Sequence, residues 1–204
     1  MSKNKGWVFT TQPSLSAIIS DTLMYRSPTC TEMDKKAGAV LAMISGVNEE
    51  ELASEMFRAG SNLGNKTPDE IIHQDFKKFT AGKNNIGIGQ ISSMDEKELR
   101  HIKDLILPKL EDIRKSDGLD MIYLMMTNII KESSIVIFSG KGAENAIEDA
   151  FMTTSKDHES VFLNGVVSRK KQMVPAVIGA ITKEWFYFIN NNYINDTKAG
   201  KSWK

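Results

Sequence analysis

Two rhythms of apolar and polar positions run along this chain. Over residues 14–60 the apolar residues recur at helical spacing, which predicts two or three helices. Leu15, Ala17, Ile18, Ile19, Leu23 and Met24 form the first apolar face. Ser27-Pro28 should stop that helix, because a residue before proline disfavours the helical region. Thr31 reads as an N-cap, with Asp34 three residues on completing an approximate capping box. Val40, Leu41 and Ile44 supply a buried stripe and Gly46 a left-handed stop. Asn48 followed by Glu51 repeats the capping signal, and Leu52, Met56 and Phe57 carry a further helix to Gly60.

Ser61-Asn62-Leu63-Gly64-Asn65-Lys66 has loop chemistry and little to bury, so a domain boundary falls there. Thr67-Pro68-Asp69-Glu70 opens a short helix with proline at its first position. Beyond it the rhythm is mixed. Phe76–Ala81 and Ile86–Ser92 are expected as a hairpin around Gly82-Lys83-Asn84-Asn85. Asp95 caps a helix to about Lys115, kinked at Pro108. After the turn at Asp117-Gly118, Leu119–Thr127 and Ile135–Phe138 read as buried strands. Ala143–Phe151 reads as a helix, Val161–Leu163 as a short strand, and a last helix begins near Gln172. Strands interleaved with helices imply an α/β fold with a mixed sheet.

Composition works mainly by exclusion. Lys+Arg and Asp+Glu balance at 26 each, so the broad basic footprint of a non-specific nucleic-acid binder is absent. Hydrophobic residues at 41% with 25% charged match an ordinary globular chain rather than a disordered one. No apolar run approaches the roughly 18 residues of a membrane span, and Trp7-Val8-Phe9 is too short for a signal-peptide core. A single cysteine, Cys30, cannot form an internal disulfide and points to a reducing compartment. A soluble cytoplasmic protein without nucleic-acid or membrane partners is the expectation.

The sharpest local feature is Ser168-Arg169-Lys170-Lys171-Gln172, between a strand and the helix opening at Met173-Val174-Pro175. Three adjacent cations there would add to the partial positive charge of exposed backbone N–H groups, an arrangement suited to a multiply charged phosphate. The alternative is a solvated basic loop; against it, cations at a helix N-terminus are locally unfavourable and call for something anionic. Phe138-Ser139-Gly140-Lys141-Gly142 is also glycine-rich between strand and helix, but it lacks phosphate-loop spacing and reads as a plain turn. Asp21, set in apolar helix, needs a hydrogen-bonding partner or a metal. His73, His101 and His158 show no metal-ligand spacing and read as surface or packing residues, and Cys30 as a small buried filler. In Asp75-Phe76-Lys77-Lys78-Phe79, alternation puts Lys77 and Phe79 on one strand face and Lys78 on the other.

Taken in order, several of these segments resemble the family II, manganese-dependent inorganic pyrophosphatases of the DHH phosphoesterase superfamily. They are Ala17–Leu23, Ser27–Thr31, Ala59-Gly60, Asp75-Phe76-Lys77, Ile88-Gly89-Gln90 and Val167–Pro175, over about residues 14–182. The resemblance implies two lobes joined by a flexible linker, with pyrophosphate bound between them. It divides the chain into the last helices of the DHH lobe (1–60), a linker (61–67), a DHH-associated substrate-clamping domain (68–182) and a tail (183–204). It implies that Asp21 is a metal ligand and that Lys77, Arg169 and Lys170 hold the phosphate groups. Manganese is the implied metal, with cobalt or magnesium as alternatives, and the complete family enzyme is a homodimer. The implied reaction is hydrolysis of pyrophosphate to two orthophosphates by metal-activated hydroxide, with Arg and Lys stabilising the developing charge.

The departures matter as much. The family's His-x-x-x-Asp-x-Asp cluster and Asp-His-His signature do not occur, and one aspartate cannot hold a metal pair. The chain is therefore expected to supply the phosphate-clamping lobe and to be inactive alone, with a separate N-terminal DHH lobe as a partner. A regulatory CBS insert interrupts the N-terminal lobe in a subset of the family. Exopolyphosphatase activity and a non-catalytic anion-binding module are the alternatives. Apolar surface on residues 14–60, left without its sheet, predicts self-association.

Overall fold

The computed structural model describes residues 5–60 and 66–182, so most of the expected linker and the whole 183–204 tail lie outside the described residues. Three helices come first: α1 (Lys5–Asp21), α2 (Glu32–Ser45) and α3 (Glu49–Gly60). They share a small core of Leu15, Ile19, Leu52 and Ala53, with Leu41, Met56 and Phe57 packed against it. The start of α2 follows its capping signals: the Thr31 hydroxyl accepts from the Asp34 N–H while Asp34 accepts from the Thr31 N–H. Gly46, at φ 68°, ends that helix in the left-handed region. Asn48 Oδ1 accepts from the N–H groups of Glu50 and Glu51 at the start of α3.

Two expectations for this region change. Helix α1 ends at Asp21, ahead of Ser27-Pro28, because Leu23, Met24 and Tyr25 all take positive φ (48°, 55° and 63°). Each such conformation costs an L-residue roughly 1–2 kcal/mol. Thr22 offsets part of this: its hydroxyl donates to the Ile18 carbonyl and accepts from the Tyr25 N–H, and its carbonyl accepts from the Ser27 N–H. The second change concerns α2. Val40 and Ile44 are about half exposed and Met33 and Met43 are 78% exposed, so of the stripe expected to be buried only Leu41 turns inward, and only Gly38 is buried on that helix. The inward face of α2 instead receives the Tyr25 ring, whose hydroxyl oxygen occupies the space a Cβ at Gly38 would need.

Helix α4 (Pro68–Ile72) follows, again with a capping box, between Thr67 and Glu70. A five-stranded sheet comes next, in the order β1 (Phe76–Ala81), β2 (Asn84–Ser93), β3 (Met121–Asn128), β4 (Ser133–Ser139) and β5 (Ser160–Asn164). All neighbours are antiparallel except β2 and β3, which run parallel and so require a crossover. Helices α5 (Glu96–Ile106) and α6 (Leu110–Ser116) supply it, separated by a short 3-10 turn at Leu107-Pro108-Lys109 where the proline kink was expected. Every residue of β3 is buried, as expected of a strand covered on both faces.

One face of the sheet carries Ile86, Ile88, Tyr123 and Phe138 beneath α7 (Ala143–Phe151) and α8 (Val174–Thr182). The other carries Ile91, Ile122, Leu124 and Ile137 beneath α4, α5 and α6. Close approach explains Gly87 in the Ile86-Gly87-Ile88-Gly89 run: a Cβ there would come within 2.2 Å of the Phe76 ring and 2.7 Å of Leu119. That packing fixes the turn that carries Gln74 and Asp75 into β1. The fold is thus the mixed-sheet α/β arrangement read from the sequence.

Candidate functional site: a cleft over the basic turn

A cleft of about 540 Å³ opens between the N-terminal helices and the edge of the sheet. Its helical side is lined by Asp21, Leu23, Ser27 and Thr29 together with Met56 and Phe57 of α3. Its sheet side is lined by Gln74 and Asp75, by Gln90 and Ser92 of β2, and by Ser168, Arg169 and Lys170. Asp21 is exposed and is the last residue of α1, where the helix dipole is negative and a carboxylate is locally unfavourable. The cleft thus sets an acid at a helix C-terminus opposite cations at the start of α8.

The basic turn is a single π-turn, Arg169–Met173, leading into α8. Two glutamines hold it. Gln172 Oε1 accepts from the N–H groups of Val167 (2.9 Å) and Ser168 (3.0 Å), and its Nε2 donates to the Gly165 carbonyl. Gln90 reaches across from β2: its Oε1 accepts from the Arg169 N–H at 3.1 Å, and its Nε2 donates to the Val167 carbonyl and to Thr127 Oγ1. Ser168 takes the next three donors: its hydroxyl accepts from the Lys171 N–H, and its carbonyl from those of Gln172 and Met173.

This corrects the expectation of exposed backbone donors at the helix start. Six of the N–H groups around the turn are occupied internally, so an anion there must be met mainly by side chains.

The three cations also diverge. Arg169 is 12% exposed; its Nη2 lies 2.7 Å from Asp75 Oδ1, and its Nη1 donates to the carbonyls of Asp75 and Ile88. Lys170 lines the cleft. Lys171 turns the other way and donates to the Pro28 carbonyl at 2.7 Å. Arg169, Lys170 and Asp21 therefore share one cavity, whereas Lys77 is not among its lining residues. Lys77 pairs with Ile88, whose carbonyl meets Arg169, so its backbone lies beside that guanidinium, on the strand face that also carries Phe79.

The remaining candidates resolve into structural roles. His73 bridges the Asp69 carbonyl and the Asp117 carboxylate, and His158, largely exposed, pairs with Glu144. Cys30 is half-buried rather than a buried filler, and burial pushes its thiol pKa up. Gly140 and Gly142, both at positive φ, make an ordinary turn into α7. Among the described residues, no three His, Cys, Asp or Glu side chains converge on a point that could hold a metal ion.

The DHHA2 domain family model matches residues 54–180, more than half of the sequence. The chain belongs to the DHHA2 domain family. Its relatives agree with the resemblance read from the motifs. A cobalt-dependent inorganic pyrophosphatase of Clostridium perfringens is 43% identical over 81% of this chain and 30% of its own length. A manganese-dependent inorganic pyrophosphatase of Methanocaldococcus jannaschii is 43% identical over 79% of this chain and 52% of its own length. A solved structure assigned to Methanococcus jannaschii family II inorganic pyrophosphatase superposes with a TM-score of 0.72 at 42% identity, covering 82% of this chain and 54% of that one. This DHHA2 chain spans about half the length of most of these relatives, and less than a third of the cobalt-dependent one.

The residues the sequence reading left without roles are Gln90, Gln172 and Asp75. Gln90 carried a signal: in Ile86-Gly87-Ile88-Gly89-Gln90, alternation sets a polar side chain in line with Ile86 and Ile88, which are buried.

Proposed function

We propose that this chain binds and orients the phosphate groups of pyrophosphate for hydrolysis to orthophosphate, as the substrate-clamping part of a family II inorganic pyrophosphatase. The observation that carries the reading is the shared cavity of Arg169, Lys170 and Asp21 over a turn tied down by Gln90 and Gln172. A multiply charged anion entering it gains charge-assisted hydrogen bonds from groups already held in place, which lowers the ordering cost of binding. In this reading Arg169 and Lys170 take the phosphate oxygens, with Lys77 approaching from β1. The same reading divides the chain at about residues 61–67 into a helical part bearing Asp21 and a clamping domain.

The relatives are named for manganese or cobalt, and such an ion would supply Lewis-acid activation of water and charge neutralisation when bound. In this reading Asp21 would contribute one carboxylate to it. The cleft's other carboxylate, Asp75, already pairs with Arg169, and among the described residues no three metal-ligating side chains converge, so the described residues do not fit a metal pair. The work assigned to this chain is therefore holding and orienting phosphate, and alone it is inactive.

Calorimetric titration with pyrophosphate tests the reading. Binding by the parent chain should weaken about tenfold or more in Arg169→Ala, since hydrogen bonds to charged groups contribute roughly 1.5–3 kcal/mol each. Equal affinity of the two proteins, or a preference for long polyphosphate over pyrophosphate, would overturn it.

A further inference from the structure

Of the three adjacent cations, Lys171 has neither a place in the cleft nor a carboxylate partner in the basic turn. Its ammonium crosses to the helical side and donates to the carbonyl of Pro28, 143 positions away, at 2.7 Å. The acceptor sits in a braced loop. Thr29 Oγ1 donates to the Asp21 carbonyl at 3.0 Å and lies 2.7 Å from Ser27 Oγ, while the Cys30 N–H donates to the Ser27 carbonyl. The left-handed run Leu23–Tyr25 turns the chain from Asp21 into that loop.

The donor end is as firmly placed: the Lys171 N–H is held by Ser168 Oγ, in the turn that carries Arg169 and Lys170. A second link between the two sides, Arg26 to Glu132, is longer at 3.8 Å, near the limit of an ion pair, and contributes little.

We propose that Lys171 is a positioning residue, a latch that holds the Asp21 loop in register with Arg169 and Lys170 across the cleft. It works through the peptide carbonyl of Pro28 rather than through the anion. A charge-assisted hydrogen bond to a carbonyl is short and directional, and it needs a donor rather than merely a positive field. Both ends of the latch belong to this chain, so its test does not depend on what the cleft binds.

The experiment places spin labels at Lys36 on α2 and at Lys156 before β5, both exposed, in a Cys30→Ser background. Pulsed dipolar spectroscopy then gives the distance distribution between the two sides. The parent and Lys171→Arg, which keeps a donor, should give one narrow distribution, and Lys171→Met a broadened and longer one. Unchanged distances in Lys171→Met, or equal broadening in Lys171→Arg, would overturn the latch. So would weaker pyrophosphate binding in Lys171→Met with an unchanged distribution, because that makes Lys171 a direct phosphate contact. Broadening in Lys171→Met without pyrophosphate binding by any variant would support the latch and remove the functional reading alone.

Discussion

Arg169 and Asp75, 94 positions apart in the chain, meet at 2.7 Å between Nη2 and Oδ1 at the edge of the cleft. The pairing does two things at once. It fixes the plane of the guanidinium, and it sets a negative charge beside the group proposed to receive an anion. The two effects separate by substitution. Asp75→Asn keeps an acceptor oxygen of the same shape but removes the charge, so pyrophosphate should bind more tightly, most visibly at low salt. Asp75→Ala removes the acceptor as well, so binding should weaken as the guanidinium loses its orientation. Calorimetry on both variants checks this, and the same sign of change in both would refute the division.

Gln90 is the second support of the site. Its side chain serves the Arg169 N–H, the Val167 carbonyl and Thr127 at once. Gln90→Leu keeps the volume and strands those partners at about 1–3 kcal/mol for each buried group left unmade. The melting temperature should fall, and pyrophosphate affinity with it, although Gln90 carries no charge. A variant as stable and as tightly binding as the parent would show that the turn is held by Gln172 and Ser168 without help from β2.

Much of the fold was legible because local chemistry and tertiary packing agree. Thr31, Asn48 and Asp95 each cap the helix they were read to cap. Pro108 breaks α5 from α6, and the all-buried strand β3 overlaps the run read as Leu119–Thr127, starting two residues later and ending one residue later at Asn128. What stayed hidden depends on partners far along the chain. No local signal marks Leu23–Tyr25 for the left-handed region, since none is glycine and Thr22 supports the turn through its own hydroxyl. Adjacency in Arg169-Lys170-Lys171 suggested one pooled charge. The π-turn and two distant acceptors, Asp75 and Pro28, send the side chains to different places.

The turn before β1 contains a pH-sensitive contact. His73 Nδ1 lies 2.8 Å from the Asp69 carbonyl and Nε2 lies 3.0 Å from Asp117 Oδ2, so both ring nitrogens face acceptors and suit the protonated ring. Burial, the largest single influence, disfavours the charge, but the bonds to Asp117 and Asp69 and their charges outweigh it and raise the pKa above its ordinary value. The stability this gives is full below the unfolded-state value of about 6.5 and is lost as pH rises through the higher folded value. Asp117 runs the other way. Burial works to raise its pKa, yet His73 and Lys78 together hold it below the usual range, so its contribution is lost only as pH falls towards acid. Thermal melts should show the parent losing stability as pH rises above about 6.5, with a smaller loss in His73→Gln. Parallel curves for the two proteins would contradict the assignment.

The outward stripe of α2 predicts self-association. Met33, Val40, Met43 and Ile44 are all exposed and recur at helical spacing on one helix. Sizing chromatography should show concentration-dependent species larger than a monomer, and Met43→Glu combined with Ile44→Lys should shift them to monomer. A monomer at all concentrations before any substitution would refute it.

The central claim is that this chain clamps phosphate without holding a metal centre of its own, and release of orthophosphate from pyrophosphate tests it most directly. With manganese present, the purified chain should release none above background, and adding a separately produced N-terminal DHH lobe should restore release in the parent but not in Arg169→Ala. Release by the chain alone that Arg169→Ala abolishes would contradict the account, because it would place a complete site within these 204 residues.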